Sequence, residues 1–199
     1  MTGKKKGLLV AIEGIDGAGK STLGSFMKSF LESRNFEVVQ YAYPDYSGKW
    51  GKLNEDYLEH RIELSVNEQF FLYLIDIMKD QDNIRKLLDE GKIVITDRYF
   101  YSTIAFQCSK GFHLEKALSI IGTMELIEAD IALFITIPSH VALERKFKQK
   151  SSLDRHEKDV ELLDNVTKIY EKMCDNTTLS KNWFRVNGNQ DIESVKRDI

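Results

Sequence analysis

The chain has few of the features that identify metal-binding, redox-active, disordered or membrane proteins. Its two cysteines, Cys108 and Cys174, form no C-x-x-C motif or cluster with histidine, so we interpret both as reduced thiols without metal or redox chemistry. Two prolines and no low-complexity tract argue against internal disorder. No apolar run approaches the roughly 18 residues that a membrane span needs, and no cleavable signal opens the sequence. These absences predict a cytoplasmic protein with no membrane partner.

The chain also lacks a strong excess of either charge. A formal net charge of −3 gives no general attraction to nucleic acid, so no nucleic-acid partner is expected. Any phosphate binding must therefore come from locally placed cations, and the cluster Lys4-Lys5-Lys6 is interpreted as a solvated tail. With 199 residues, 42% of them hydrophobic, the chain suits one globular core, and we predict a single domain over residues 1–199.

Short apolar runs alternate with helical periodicity along the whole chain. This pattern predicts an α/β fold, with a five-stranded parallel sheet and helices on both faces. Strands are predicted near Leu8 to Ile12, Glu37 to Ala42, Ile93 to Thr96, Ile131 to Ile137 and Trp183 to Val186. Helices are predicted from Leu23 to Leu31, Val66 to Asp89, Tyr101 to Cys108, Leu114 to Ile127, Ser139 to Gln149, Glu157 to Met173, and Ile192 to the end.

Two of these segments carry further expectations. The periodicity from Val66 to Asp89 predicts one long helix, with Gly91 as its C-terminal cap. The segment from Tyr43 to Asn54 is rich in Gly, Tyr and Lys, and it predicts a loop at the carboxyl end of the second strand. Ligands of open α/β sheets bind at that edge, so this loop is a candidate for a ligand contact.

The most informative motif is G-I-D-G-A-G-K-S, which follows the first apolar run and matches the phosphate-binding loop G-x-x-x-x-G-K-[ST]. A buried strand that leads through glycines into a helix aims backbone N–H groups and the positive end of the helix dipole at one point. Lys20 is predicted to reach the β and γ phosphates of a nucleotide, and the Ser21 hydroxyl to bind Mg²⁺. The predicted nucleotide-binding residues are Gly14, Gly17, Ala18, Gly19, Lys20, Ser21 and Thr22.

Two further clusters carry charges suited to phosphate chemistry. In I-V-I-T-D-R-Y a buried strand ends in Asp97, which is placed to hold Mg²⁺ across from Ser21, and in Arg98, whose fork can grip a phosphate. The alternative is a solvated ion pair at a strand end. Five cations also lie between Glu144 and Arg155, and the break at Lys150-Ser151-Ser152 predicts a mobile lid over about residues 148–157. The alternative there is an exposed helix face.

Four segments together resemble the thymidylate kinase family of P-loop nucleoside monophosphate kinases. They are I-E-G-I-D-G-A-G-K-S-T, Y-P-D-Y-S-G-K-W-G, D-R-Y-F-Y-S-T-I-A-F-Q and L-E-R…L-D-R-H-E, in the family's order over nearly the whole chain. The resemblance implies a P-loop kinase fold with a short lid, ATP as phosphoryl donor, and Mg²⁺.

The resemblance also implies roles for individual residues. Asp16 would contact the 3′-hydroxyl of the acceptor sugar, and Arg98 would hold the acceptor phosphate. Gly17 stands where one subgroup carries a catalytic arginine, so the arginine is expected from the lid. The remaining implied roles are Arg155 as that lid arginine with Lys148 or Lys150 as helpers, Arg145 on the donor adenine, and Ser102, Thr103 and Gln107 along the acceptor's base and sugar.

The chain departs from the family pattern at two positions that face the acceptor. Tyr46 stands where an arginine helps to grip the acceptor, so that contact is missing or comes from Lys49 or Lys52. Ile77 follows the retained Asp76 where an arginine contacts thymine and the acceptor phosphate, unless the register slips and Lys79 substitutes. An aliphatic side chain cannot donate to a pyrimidine carbonyl, so base recognition must differ. The aromatic residues that could stack on the base are Phe70, Phe71 and Tyr73, although helical spacing of aromatics also suits a core.

These inferences predict magnesium-dependent transfer of the γ-phosphoryl group of ATP to a pyrimidine deoxynucleoside monophosphate, with dTMP as the first candidate and dTDP as product. One alternative is a kinase for another acceptor, such as dUMP, UMP or a deoxynucleoside. A second is a nucleotide-binding switch, although the N-K-x-D and D-x-x-G motifs of GTPase switches are missing. The resemblance further implies a homodimer formed through the long helix and its neighbours.

Overall fold

A computed structural model describes residues 6–149, 154–180 and 182–199 of the chain. Five parallel strands form one sheet in the order β2-β3-β1-β4-β5. The strands are β1 Leu8–Glu13, β2 Val38–Ala42, β3 Ile93–Asp97, β4 Ile131–Thr136 and β5 Trp183–Asn187. The five predicted strands are confirmed.

Helices fill the connections between these strands. They are α1 Lys20–Glu32, α2 Lys49–Leu58, α3 Val66–Met78, α4 Gln81–Asp89, α5 Phe100–Ser109, α6 Leu114–Thr123, α7 Ser139–Gln149, α8 Val160–Asp175 and α9 Ile192–Arg197. Almost every residue of β1, β3 and β4 is buried in succession. Because successive strand residues point to opposite faces, both faces of the central sheet are covered, and the predicted α/β fold is confirmed.

The strand order determines where a ligand site can form. β1 pairs with β3 on one side and with β4 on the other. The strands β2 and β3 therefore lie on one side of β1, and β4 and β5 lie on the other. The crevice at the carboxyl ends of such strands is the place where open α/β sheets bind ligands. The glycine-rich loop follows β1 and the Asp97-Arg98 pair ends β3, so two predicted phosphate-binding segments meet at this crevice.

The prediction of one long helix from Val66 to Asp89 is wrong, because the chain breaks between α3 and α4. The residues at the break make tertiary contacts that the helical pattern does not show. The Asp80 carboxylate accepts a hydrogen bond from the Tyr43 hydroxyl at 3.0 Å and pairs with Lys79 at 2.6 Å. The predicted end of the segment is right, since Gly91 follows α4 at a φ of 84°.

The prediction of a loop from Tyr43 to Asn54 is wrong in its second half, where α2 begins at Lys49. Glycine normally argues against a helix, but Gly51 has a packing role here. A Cβ atom at Gly51 would lie within 1.8 Å of the Asp45 carbonyl oxygen, so only glycine lets α2 pack against the preceding turn. Two helix ends also differ from prediction, since α6 ends at Thr123 and α8 begins at Val160.

Two further findings concern the cysteines and membrane spans. Cys108 and Cys174 are both free thiols. Within the described parts of the chain, no helix has the length and apolarity to cross a bilayer. The predicted turn at Lys150-Ser151-Ser152 lies outside the described residues.

Candidate functional site

The glycine-rich loop after β1 has the backbone conformation of an anion site. Gly14, Gly17 and Gly19 all adopt positive φ, and α1 begins directly after Gly19 without a side-chain cap. The first N–H groups of α1 therefore have no side-chain acceptor and can bind phosphate oxygens. Lys20 is 6% exposed, and its Nζ donates to the Ile15 carbonyl oxygen at 3.0 Å. Burial and the nearby Arg98 charge lower the pKa of Lys20 to about 8.

Gly17 has a second constraint besides its positive φ. A Cβ atom there would lie 2.6 Å from the carbonyl oxygen of Ala142, a residue of α7. A side chain at this position would therefore have to displace the helix backbone. This contact explains in physical terms why the chain carries glycine at the position where the related subgroup carries arginine.

We expect Gly17→Ala to lower the free energy of unfolding by about 1–3 kcal/mol more than Gly19→Ala does. Both glycines have positive φ, but a Cβ at Gly19 meets no atom within 4 Å, so the difference isolates the contact with α7. Chemical denaturation of the two variants without nucleotide measures this difference. Equal losses of stability would show that α7 accommodates the added Cβ atom at position 17 without a loss of free energy of unfolding.

Arg98 is the cation that joins the two phosphate-binding segments. Its backbone is left-handed, with a φ of 67°, and its N–H donates to the Ile12 carbonyl oxygen at 2.9 Å. Its guanidinium donates to Asp16 at 2.8 Å, and to the Gly14 carbonyl and the Ser102 hydroxyl at 3.0 Å each. Burial alone would raise the pKa of Asp16, but Arg98, Lys20 and Lys146 hold it well below its ordinary value. Asp16 therefore stays a carboxylate at this site.

Glu13, the last residue of β1, contacts residues that hold Arg98 in place. Sequence reasoning assigned it no role. Its carboxylate accepts from the backbone N–H of Tyr99 at 2.8 Å, the Ser102 hydroxyl at 2.6 Å and the Tyr170 hydroxyl at 2.8 Å. Burial raises the pKa of Glu13 to about 7, against the hydrogen bonds that favour its ionised form. Because Ser102 also accepts from Arg98, this network fixes the orientation of the guanidinium.

Two cavities open at the carboxyl edge of the sheet. The first, which we call the helix cavity, has an empty volume of about 590 Å³ and runs along α5, with Ser102, Thr103, Phe106 and Gln107 in its wall. The second, the loop cavity, has an empty volume of about 1810 Å³ around the glycine-rich loop, with the open solvent at its mouth included. The two share six wall residues: Asp16, Tyr43, Pro44, Tyr46, Arg98 and Asp154. The cavities therefore meet at the Asp16–Arg98 pair.

The loop cavity collects most of the residues predicted to bind a nucleotide and a metal. Those in its wall are Gly17, Ala18, Gly19, Lys20, Ser21, Thr22, Asp97 and Arg145, whereas Gly14 lies outside it. Arg145 donates to the Gly188 carbonyl oxygen at 3.0 Å, which holds its planar group at the side of the cavity that α9 and β5 border. Lys146 also lies in this wall and pairs with Glu157 at 2.9 Å, a contact that sequence reasoning missed.

The helix cavity collects five of the residues predicted for the acceptor besides Asp16, namely Tyr46, Arg98, Ser102, Thr103 and Gln107. Phe71 is a correction. Its side chain is 43% exposed and lies outside this wall, because α3 packs against α2 and α5 with a different face. Of the two other aromatics considered for stacking, Tyr73 is in the wall, whereas Phe70 is fully buried in the core and lies outside it.

Gln107 and Ile77 both lie in the wall of the helix cavity. Gln107 is fully buried, and neither atom of its amide finds a hydrogen-bond partner in the described parts of the chain. A buried amide without partners is costly unless a ligand satisfies it. Ile77 lies in the same wall, whereas Lys79 is held by Asp45, Asp76 and Asp80. Lys79 therefore does not take the place of the missing arginine.

Arg155 lies away from the junction of the cavities. Its guanidinium forms two hydrogen bonds with Glu63, at 2.6 and 2.7 Å, and stacks over the Tyr57 ring at 4.4 Å. Asp154 lies in the walls of both cavities and His156 in the wall of the helix cavity, and sequence reasoning assigned neither a role. The L-D-R-H-E motif that contains them was the available signal. Lys150 lies outside the described residues, and Lys148 lies in neither cavity wall.

The parallel sheet, the glycine-rich loop and the paired cavities define a P-loop nucleotide-binding enzyme with room for two ligands. Residues 12–199 match the family described as thymidylate kinase. The thymidylate kinase of Desulfotalea psychrophila is 30% identical over 198 residues, which cover 97% of this chain and 92% of the relative. The thymidylate kinase of Plasmodium falciparum is 27% identical over 196 residues, with coverage of 98% and 89%.

The solved structure of thymidylate kinase from Candida albicans matches the fold with a TM-score of 0.80 at 24% identity, over 97% of this chain and 89% of that one. The chain belongs to the thymidylate kinase family. Its activity is the ATP-dependent phosphorylation of dTMP to dTDP. The predicted kinase function is thereby confirmed over the alternative of a nucleotide-binding switch.

Proposed function

We propose that phosphoryl transfer takes place where the loop cavity and the helix cavity meet, with ATP in the first and dTMP in the second. The observation that carries this proposal is the wall that the cavities share around Asp16 and Arg98. A γ-phosphate on one side and an acceptor phosphate on the other would face the same guanidinium. The acceptor's phosphate oxygen is already a nucleophile, so in-line positioning and neutralisation of charge suffice, without a covalent enzyme intermediate.

In the loop cavity, we assign the phosphates of ATP to the N–H groups at the start of α1 and to Lys20. Arg145 offers a planar face to the adenine. Mg²⁺ fits this site chemically, since the Ser21 hydroxyl and the Asp97 carboxylate are hard oxygen ligands in the same wall. When bound, the ion supplies positive charge to the transferring phosphates.

In the helix cavity, we assign the acceptor phosphate to Arg98 and the 3′-hydroxyl of the sugar to Asp16. Ser102 and Thr103 both lie in the wall of this cavity and suit the sugar and base. The unpartnered amide of Gln107 offers both a donor and an acceptor, which is what a pyrimidine edge requires in the absence of an arginine at Ile77. Tyr46 would border the acceptor phosphate in place of the other missing arginine.

The catalytic role of Arg155 stays a prediction. It requires the guanidinium to leave Glu63 and Tyr57 and to move toward the transferring phosphate. Lys146 already lies in the loop cavity and is a second candidate for the lid cation.

We also keep the proposals of a cytoplasmic location and of a homodimer that includes α3. The outer face of α3 carries Phe71 and Met78, which are 43% and 40% exposed and would be covered by a partner copy. Sedimentation of the purified protein tests the oligomeric state.

A panel of acceptors tests the proposed assignment of the helix cavity. We expect ADP release to be stimulated by dTMP, with kcat/KM for dUMP about 10- to 100-fold lower, because the two acceptors differ by one methyl group. UMP and thymidine serve as the other acceptors, and a reaction without acceptor measures background hydrolysis. ATP hydrolysis at the same rate without dTMP would contradict the proposal of two meeting sites.

A further inference from the structure

Lys110 caps the end of α5 and uses all of its donors within the fold. Its Nζ lies 2.7 Å from the Gln69 side-chain oxygen, 3.4 Å from the Tyr57 hydroxyl and 2.5 Å from Nε2 of His156. An ammonium group has three N–H donors and no acceptor. The three contacts therefore account for the group completely, and the residues that make them come from α2, α3 and the segment before α8.

The contact with Lys110 determines the chemical form of His156. Because an ammonium cannot accept, Nε2 of the imidazole must be the acceptor, and a neutral ring then carries its proton on Nδ1. The ring is 5% exposed, stacks on Phe106 at 5.2 Å and meets the Tyr57 ring edge at 6.0 Å. It also forms part of the wall of the helix cavity. One nitrogen is thus occupied by Lys110, and the other, for which the described residues show no hydrogen-bond partner, is left as a donor.

We propose that Lys110 is a positioning residue for the acceptor nucleotide: it fixes His156 as the Nδ1–H tautomer and holds this ring in the wall of the helix cavity as a hydrogen-bond donor to the acceptor. This inference rests on the proposed assignment of that cavity to dTMP. Without Lys110, the imidazole is free to carry its proton on Nε2 or to rotate, and the donor is lost from the wall.

The electrostatics of the pair agree with this arrangement in mildly acidic solution. Burial and the Lys110 charge hold the pKa of His156 well below its ordinary value. Burial and the Arg155 charge lower the pKa of Lys110 to about 7, while Asp154 and Asp159 oppose this shift. At pH 6 the lysine is therefore charged and the histidine neutral, so the tautomer is defined under that condition.

The first test reads the tautomer directly by ¹⁵N NMR of the histidine side chains at pH 6. The chain has four histidines, so a His156→Phe variant assigns the resonances of interest. We expect an Nδ1–H tautomer at His156 that changes to Nε2–H, or to a protonated ring, in Lys110→Met. Lys116→Met removes an exposed lysine six residues away and should leave the tautomer unchanged. An Nε2–H tautomer in the wild-type protein would overturn the inference.

The second test measures KM for dTMP and for ATP at pH 6 in the same variants. Lys110→Met should raise the KM for dTMP about tenfold, the loss of one hydrogen bond to the acceptor, and leave the KM for ATP unchanged. His156→Phe keeps the aromatic contacts and should show the same change, which covers the case in which Lys110→Met does not fold. A changed tautomer with an unchanged KM for dTMP would refute the positioning role.

Addition of dTMP to the wild-type protein separates this inference from the assignment of the cavity. We expect dTMP to shift the His156 resonances at pH 6. Turnover of dTMP without any such shift would overturn the inference while leaving the kinase function intact. No binding of dTMP near α5, read from the backbone resonances of Thr103 and Gln107, would instead overturn the proposed acceptor site.

Discussion

Replacement of Lys20 by methionine is expected to reduce kcat for dTMP phosphorylation by a factor on the order of 10³ or more. Methionine retains much of the length and the packing of the side chain but removes the charge that lies beside the uncapped start of α1. The β and γ phosphates of ATP then lose a neutralising group that acts most strongly as charge shifts during transfer. A coupled assay of ADP release at saturating dTMP measures this change.

Lys28→Met is the matched control, because Lys28 lies on the same helix and pairs only weakly with Glu32 at 3.9 Å. Its kcat should equal that of the wild-type protein. Full turnover by the Lys20→Met enzyme would contradict the assignment of the glycine-rich loop to the donor phosphates. It would also contradict the assignment of the loop cavity to ATP.

Replacement of Arg98 by glycine is expected to reduce kcat/KM for dTMP by a factor on the order of 10³. Glycine is the informative substitution, because it accepts the left-handed backbone of this position without strain while the side chain and its guanidinium are removed. Arg98→Lys should recover part of the activity, since it restores the charge but not the fork that contacts Asp16, Gly14 and Ser102 together. Steady-state kinetics with dTMP as the varied substrate measure both effects.

The control for the backbone change is Asn35→Gly, an exposed residue with a φ of 64° far from either cavity wall. It should leave kcat/KM unaltered. If Arg98→Gly lowered affinity for ATP but left affinity for dTMP unchanged, the assignment of Arg98 to the acceptor phosphate would fail.

The strands and the phosphate loop were predictable because their signals are local. Each strand lies within one residue of its predicted position, since runs of aliphatic residues between turns have few alternatives in an α/β chain. The loop likewise needs its glycines and its lysine next to one another in sequence. The fold and the glycine-rich loop therefore followed from short windows of sequence.

The features that sequence reasoning missed all depend on residues that are distant in the chain. The break before α4 is associated with the contact between Asp80 and Tyr43, and the early start of α2 depends on the packing of Gly51 against Asp45. Glu13 meets Tyr170 only after the sheet and α8 have assembled. No window of neighbouring residues contains these pairings, so periodicity and composition could not reveal them.

The two departures from the family pattern, Tyr46 and Ile77, lie in separate elements: Tyr46 is in the turn that follows β2 at the carboxyl edge of the sheet, and Ile77 is in α3. Both line the helix cavity, and neither belongs to the glycine-rich loop or to the Asp97-Arg98 pair. Substitutions at these two positions can therefore reshape the wall proposed for the acceptor while the sequence of the glycine-rich loop is inherited unchanged. Acceptor preference can diverge within such a scaffold without a change in the residues proposed to hold ATP.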